Sequence, residues 1–154
     1  MNIQGQAAIV TGGGSGLGEA VARELARQGA KVAVLDVNED GARRVAADIG
    51  GVAVRCDICD TASVNAALDA GELAHGVARI VMNIAGIGTA KRILHKDGSP
   101  APLEDFERVV KVNLIGSYNV TRLAVARIAK LVPLEDGERG VVVNTASVAA
   151  GCRQ

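Results

Sequence analysis

The sequence predicts an α/β chain whose strands form one doubly wound parallel sheet. Short uninterrupted apolar runs alternate with amphipathic helical stretches along nearly all of the 154 residues, the pattern of consecutive βαβ units. The first run is joined to the first helical stretch by TGGGSGLG, a turn that only glycine makes tight. The composition agrees. Phe106 and Tyr118 are the only aromatic residues, so Val, Ile, Leu and Ala must build the core, which suits strands buried on both faces under alanine-rich helices.

Residues 7–11 (AAIVT) read as a continuous buried strand. The stretch 16–28 follows as a helix with Leu17, Val21 and Leu25 on one face, ended by Gly29. KVAVLD (31–36) is a second buried strand, and 39–49 is a helix presenting Ala42, Val45, Ala46 and Ile49. GVAVRCD (51–57) is strand three, followed by a helix from residue 61 that Thr61 or Ser63 would cap. ARIVMNIAG (78–86) is strand four. Residues 87–102 read as loop, 103–131 as one long helix ending before Pro133, and GVVVNTAS (140–147) as strand five. No internal repeat, low-complexity tract or linker divides the chain, so a single domain spans residues 1–154.

Bulk properties exclude several function classes. Lysine and arginine (17) balance aspartate and glutamate (17) without blocks of like charge, which argues against nucleic acid or an anionic membrane as partner. No apolar run approaches the ~20 residues of a membrane span. The N-terminal segment lacks the features of a leader peptide, so a cytoplasmic location is expected. Cys56 and Cys59 form C-x-x-C, but neither His75 nor His95 sits at zinc-finger spacing. They read as a strand-end and a loop cysteine, with no metal site expected.

The glycine turn carries the chemistry. Gly12, Gly16 and Gly18 are spaced G-x-x-x-G-x-G between a strand and a helix. Such a turn lets a pyrophosphate approach the helix N-terminus, where free N–H groups and the helix dipole favour negative charge. Asp36 ends strand two. A carboxylate there can accept from the ribose 2′- and 3′-hydroxyls and repels a 2′-phosphate, which predicts NAD(H) rather than NADP(H). The same aspartate also serves as an ordinary turn-former. The fold these features define is Rossmann-like.

Four motifs in order extend this reading: TGGGSGLG (11–18), CDI (56–58), NIAG (83–86) and NTAS (144–147), with VNLIGSYNV (112–120) between the last two. In these the sequence resembles the short-chain dehydrogenase/reductase family over essentially its whole length. PLEDFERVVKVNLIGSYNVTRLAV, the KRILHKDGSP insertion and GERGVVVNTASVAA are similar to the type-2 3-hydroxyacyl-CoA dehydrogenases within it. The resemblance implies an NAD-dependent oxidoreductase that oxidises a secondary alcohol, a 3-hydroxyacyl-CoA or a hydroxysteroid-like alcohol, in lipid metabolism. It implies that Gly12, Ser15, Gly16, Leu17 and Gly18 hold the pyrophosphate, and that Asp36 takes the adenosine ribose. Asp57 and Ile58 would border the adenine, with Asn83, Ala85 and Gly86 beside the cofactor. Asn113 would hold a water in a proton relay, and Ser147 would hydrogen-bond the reacting substrate oxygen.

Taken on residue chemistry alone, Asn83 is equally a sheet-end turn-former and Ser147 a loop serine. Phe106, Val109, Val110, Asn113, Ser117 and Thr121 share one side of the long helix, so Asn113 is expected to face the core. A buried amide there must find partners or cost about 1–3 kcal/mol. Gly116 would ease a local kink.

The resemblance also requires a tyrosine, with a lysine four residues on, about a dozen residues past the serine, as general base and its activator. The one tyrosine, Tyr118, precedes Ser147 and has Arg122 at the lysine position. The pair is absent. The expectation is an N-terminal, cofactor-binding portion of a longer dehydrogenase domain, five strands of a larger sheet, inactive as it stands. The alternative is a non-catalytic NAD-binding or interaction module. Strand five would form a flat apolar edge. The homotetramer common in the family would lack the partner of its long interface helix.

Overall fold

A computed structural model of the chain describes residues 1–89 and 92–147. Lys91 of the KRILHKDGSP stretch and the tail from residue 148, with Cys152, lie outside the described residues.

Five strands, β1 (Ala7–Thr11), β2 (Lys31–Asp36), β3 (Val52–Arg55), β4 (Ile80–Asn83) and β5 (Val141–Asn144), form one parallel sheet in the order β3-β2-β1-β4-β5. The strand order reverses between β1 and β4, where Val10 pairs with Val34 on one side and Met82 on the other. In such sheets the crevice beyond the carboxyl ends of the strands at this reversal is where ligands bind.

Alternation along the strands splits the core into two layers. Ile9, Ala33, Leu35 and Val81 pack with Val64, Ala67 and Leu68 of helix α3 (Thr61–His75) and with Val120, Ala124 and Ile128 of α5 (Ser117–Ile128). Ala8, Val10, Val32, Val34 and Ile80 pack on the other face with Ala22 of α1 (Gly16–Arg27) and with Ala42, Val45 and Ala46 of α2 (Glu39–Ile49). β5 is the sheet edge, and its Val141 and Val143 are 40% and 41% exposed, as the apolar run GVVVN predicts.

The strands β1 and β2 and helix α2 fall where the sequence places them. Other elements differ for identifiable reasons. Strand four stops at Asn83 because the next two amides turn away from the sheet, Ile84 N and Ala85 N both donating to Thr11 Oγ1 at 3.1 Å. Strands three and five are likewise shorter than expected at their ends. Helix α3 is capped by Asp60, whose carboxylate accepts from Ala62 N at 2.8 Å. Ser63 instead accepts from Asp57 N at 2.9 Å. In α1, Leu17 is 74% exposed while Gly18 and Ala22 are buried. The helix is seated through its glycine, because a Cβ at Gly18 would lie 2.0 Å from Gly12 O.

The long helix is broken into three parts: α4 (Leu103–Val110), a π-helical turn at Lys111–Gly116, and α5. The wider turn moves Asn113 out of the core face, and it is exposed, as are Phe106 and Leu114. The buried amide on this side is Asn119, 6% exposed. Gly116 sits within the π turn because Ile58 packs on it, where a Cβ would meet the Ile58 side chain at 2.7 Å. Within the expected loop 87–102, Leu94 bridges to Pro100 and His95 N donates to Ser99 O at 2.8 Å, a tight turn with Ile93 82% exposed.

Candidate functional site

A cleft of about 450 Å³ opens at the carboxyl ends of β1, β2 and β4, within the range of small-molecule sites. Gly12, Ser15, Gly16, Leu17, Gly18, Asp36, Asp57, Ile58, Ala85 and Gly86 line it. These are all of the predicted cofactor residues except Asn83. A cavity under His75, at the opposite end of the strands, is about 10 Å³, room for one water at most.

The glycine turn builds one wall. Gly12 and Gly16 have φ of 67° and 53°, in the left-handed region that side chains disfavour. A Cβ at Gly12 would meet Ala85 Cα at 2.8 Å, whereas Gly16 faces open space. Ser15 is the N-cap of α1 and makes no side-chain capping bond, so the first-turn N–H groups of that helix are not claimed by their cap and stand at the cleft wall. Among the described residues no lysine or arginine lines the cleft, and two carboxylates, Asp36 and Asp57, do. Anion binding there falls to backbone N–H groups and the helix dipole.

Asp36 does two things at once. Oδ2 accepts from Gly14 N at 2.9 Å and Oδ1 accepts from Asn38 N at 2.9 Å. The carboxylate fixes both the glycine turn and the start of α2, while still lining the cleft. The turn-forming and ribose-binding readings of this residue are therefore compatible. Asp57 Oδ1 accepts from Cys59 N at 2.9 Å, shaping the bend that carries Ile58.

Asn83 lies behind the cleft. It is 3% exposed, and its Nδ2 donates to Thr121 Oγ1 at 2.9 Å and to Asn144 Oδ1 at 2.8 Å, stitching β4 to α5 and β5. Asn113 acts on the loop after β4: its Oδ1 accepts from Ile87 N and its Nδ2 donates to Ile87 O, both at 2.8 Å. Ser147 is an exposed residue just past β5, on the same edge of the sheet. Neither Asn113 nor Ser147 is among the residues lining the cleft.

Several residues of the site carried no readable signal. Thr11 is 1% exposed and holds the two amides that end β4. Asn119 donates to Ile58 O at 2.9 Å, and its own oxygen accepts from Arg122 and the Thr61 hydroxyl. It ties the bend at Ile58 to α5. A single polar residue within an apolar helical run was the available cue, and it pointed equally to Asn113. Val37, Ile84, Ile87 and Val112 supply apolar lining.

Cys56 and Cys59 also line the cleft. Burial pushes the Cys56 thiol up to about 11, and burial also raises Cys59. Both stay protonated at neutral pH, which makes them poor metal ligands and nucleophiles. No group of three or more His, Cys, Asp or Glu among the described residues could hold a metal ion. None of the described helices is long and apolar enough to cross a membrane.

A doubly wound parallel sheet with a glycine turn, an acid at the end of β2 and a cleft at the strand reversal defines a dinucleotide-binding α/β protein of the Rossmann type. The family model for short chain dehydrogenases matches residues 6–154, and the chain belongs to that family. It is 40% identical over 151 residues to the 3-hydroxyacyl-CoA dehydrogenase type-2 of Drosophila melanogaster, covering 96% of this chain and 59% of the relative. The crystal structure of 3-hydroxyacyl-CoA dehydrogenase type-2 from Mycobacterium avium superposes with a TM-score of 0.88 at 39% identity, over 96% of this chain and 58% of that one. That of a 3-ketoacyl-(acyl-carrier-protein) reductase from Brucella melitensis, complexed with NADH, gives 0.73 at 38% identity, over 82% and 51%. The chain spans 58–59% of the length of the curated type-2 relatives from fly and human.

Proposed function

We propose that this chain binds NAD(H) in the cleft and serves a dehydrogenase that interconverts a secondary alcohol and a ketone, with 3-hydroxyacyl-CoA as the substrate class. The observation that carries the cofactor assignment is Asp36, fixed at the cleft wall by Gly14 N and Asn38 N, in a site that the described residues line with carboxylates and no cation. Such a wall suits ribose hydroxyls and opposes a 2′-phosphate. The similarity to type-2 3-hydroxyacyl-CoA dehydrogenases, and to a reductase complexed with NADH, supports the same reading.

The residues present fit the dinucleotide. Gly12, Ser15, Gly16, Leu17 and Gly18 would hold its pyrophosphate on the N-terminus of α1. Asp36 would take the adenosine ribose, and Asp57 with Ile58 would flank the adenine. When bound, the nicotinamide supplies the hydride acceptor. Ala85 and Gly86 would shape the wall beside it, with the Ala85 amide held by Thr11, the end of β4 pinned by Asn83, and the next residue, Ile87, held by Asn113. Ser147, at the carboxyl edge beyond β5, would donate a hydrogen bond to the reacting substrate oxygen.

The 154 residues supply the dinucleotide-binding part of that activity. They contain one tyrosine, Tyr118, which is 68% exposed on α5 and has Arg122, not a lysine, four residues on. Purified chain is expected to bind NADH and to give no NADH-forming turnover above background with 3-hydroxybutyryl-CoA. Binding is read by quenching or enhancement of NADH fluorescence. Lack of binding by folded chain would refute the cofactor assignment, and robust turnover would refute the division of labour.

A further inference from the structure

Resting on the cofactor reading above, we propose that Arg44 of α2 is a positioning residue that presets the pyrophosphate-binding turn from outside the cleft. Arg44 does not line the cleft. Its Nη2 donates to Gly14 O at 3.2 Å, and Gly14 N is the group held by Asp36. The peptide units on either side of Gly14 are thus clamped, one by the carboxylate that faces the ribose, the other by a guanidinium from the next helix.

Arg44 is itself fixed. Its Nη1 and Nη2 donate to Glu19 Oε1 and Oε2 at 2.8 and 2.6 Å, a two-point pairing that sets the guanidinium plane. Glu19 also accepts from Arg23, which reaches Asp48 Oδ2 at 2.7 Å. The two guanidinium groups hold the Glu19 carboxyl down to about 2, so the network stays charged at any working pH. It locks α1, which begins at the turn, to α2.

Backbone contact at the same place gives a second, independent reason. A Cβ on Gly41 would lie 2.9 Å from Gly14 O, and one on Gly14 would lie 2.9 Å from Ala42 N. Helix α2 therefore rests directly on the turn at two facing glycines, with Arg44 one turn further along. A loop held in its binding conformation before the ligand arrives avoids the ordering cost on binding.

The experiment compares ADP-ribose, which carries the pyrophosphate, with adenosine, which does not, by calorimetry on the purified chain. Arg44→Ala is expected to raise the ADP-ribose Kd about tenfold, the scale of one charge-assisted hydrogen bond, and to leave the adenosine Kd unchanged. Gly41→Ala, acting through the same carbonyl, should give the same selective loss. Arg44→Lys should restore part of it, and Arg43→Ala, on an exposed residue paired with Glu39, should change neither ligand. Equal losses for both ligands, or a loss confined to adenosine, would overturn the positioning role. So would an unchanged ratio in Arg44→Ala. Failure of the parent chain to bind ADP-ribose would instead remove the cofactor reading, and this inference with it.

Discussion

The Asn113 side chain meets both backbone polar groups of Ile87, accepting from its N–H and donating to its carbonyl, each at 2.8 Å. An amide used in this way copies the pairing of a neighbouring strand, in a stretch where β4 has already ended and no strand is present. It holds the loop after Gly86 against the π turn of residues 111–116. Asn113→Ala is expected to speed hydrogen exchange at the Ile87 amide and lower stability by about 1 kcal/mol, the net worth of exposed hydrogen bonds. Asn113→Asp keeps the acceptor for Ile87 N and should protect that amide better than alanine does. Equal exchange in all three proteins would contradict this.

Thr11 carries more than its size suggests, since one hydroxyl oxygen accepts from both Ile84 N and Ala85 N. Thr11→Val keeps the shape and leaves two amides beside the cleft without an acceptor. Each such group costs about 1–3 kcal/mol if water cannot reach it. Urea denaturation should show a loss of about 2 kcal/mol with an unchanged m-value, and a loss below 0.5 kcal/mol would be too small for this role.

Gly16 and Gly18 of the turn differ in kind. Gly18 has the Gly12 carbonyl 2.0 Å from its missing Cβ, whereas Gly16 has open space and a φ of 53°. Gly18→Ala must move α1 off the turn and is expected to yield little folded protein. Gly16→Ala should fold, costing about 1 kcal/mol for the left-handed backbone, while a methyl group in the cradle weakens NADH binding. Thermal melts of the two variants with equal midpoints would contradict the distinction.

Cys56 gives a pH dependence with a definite sign. Burial raises its folded-state value to about 11, above that of the thiol in the unfolded chain, so the unfolded chain loses its proton first as pH rises. Its contribution to stability is complete below the ordinary thiol range and is lost as pH rises towards about 11. Stability of the parent chain should fall faster across that window than stability of Cys56→Ala. Parallel curves would show that the thiol is solvated in the folded state.

Where a single local cause decides an element, the sequence displays it. β1 and β2 are uninterrupted apolar runs closed by a glycine turn and an acid, and α2 shows an apolar face with Asn38 at its start and Gly50 at its end. The candidate cofactor wall is legible for the same reason, because the turn, the helix start and the acid each end or open an element that the chain marks locally. The π turn is not, since it depends on Ile58 meeting Gly116 from another element. The exchange of roles between Asn113 and Asn119 follows from it: the wider turn shifts which amide points inward. Thr11 and Asn83 are likewise fixed by groups far away in sequence.

Selection of NAD(H) through Asp36 is tested most directly by calorimetric titration of the parent chain and Asp36→Asn with NADH and NADPH. Asparagine can still accept from one of the two backbone amides that Asp36 holds, so the variant should remain folded. The parent is expected to bind NADH at least tenfold more tightly than NADPH, about 1.4 kcal/mol, and the variant to lose most of that preference. Equal affinity of the parent for the two cofactors, or an undiminished preference in Asp36→Asn, would contradict the assignment.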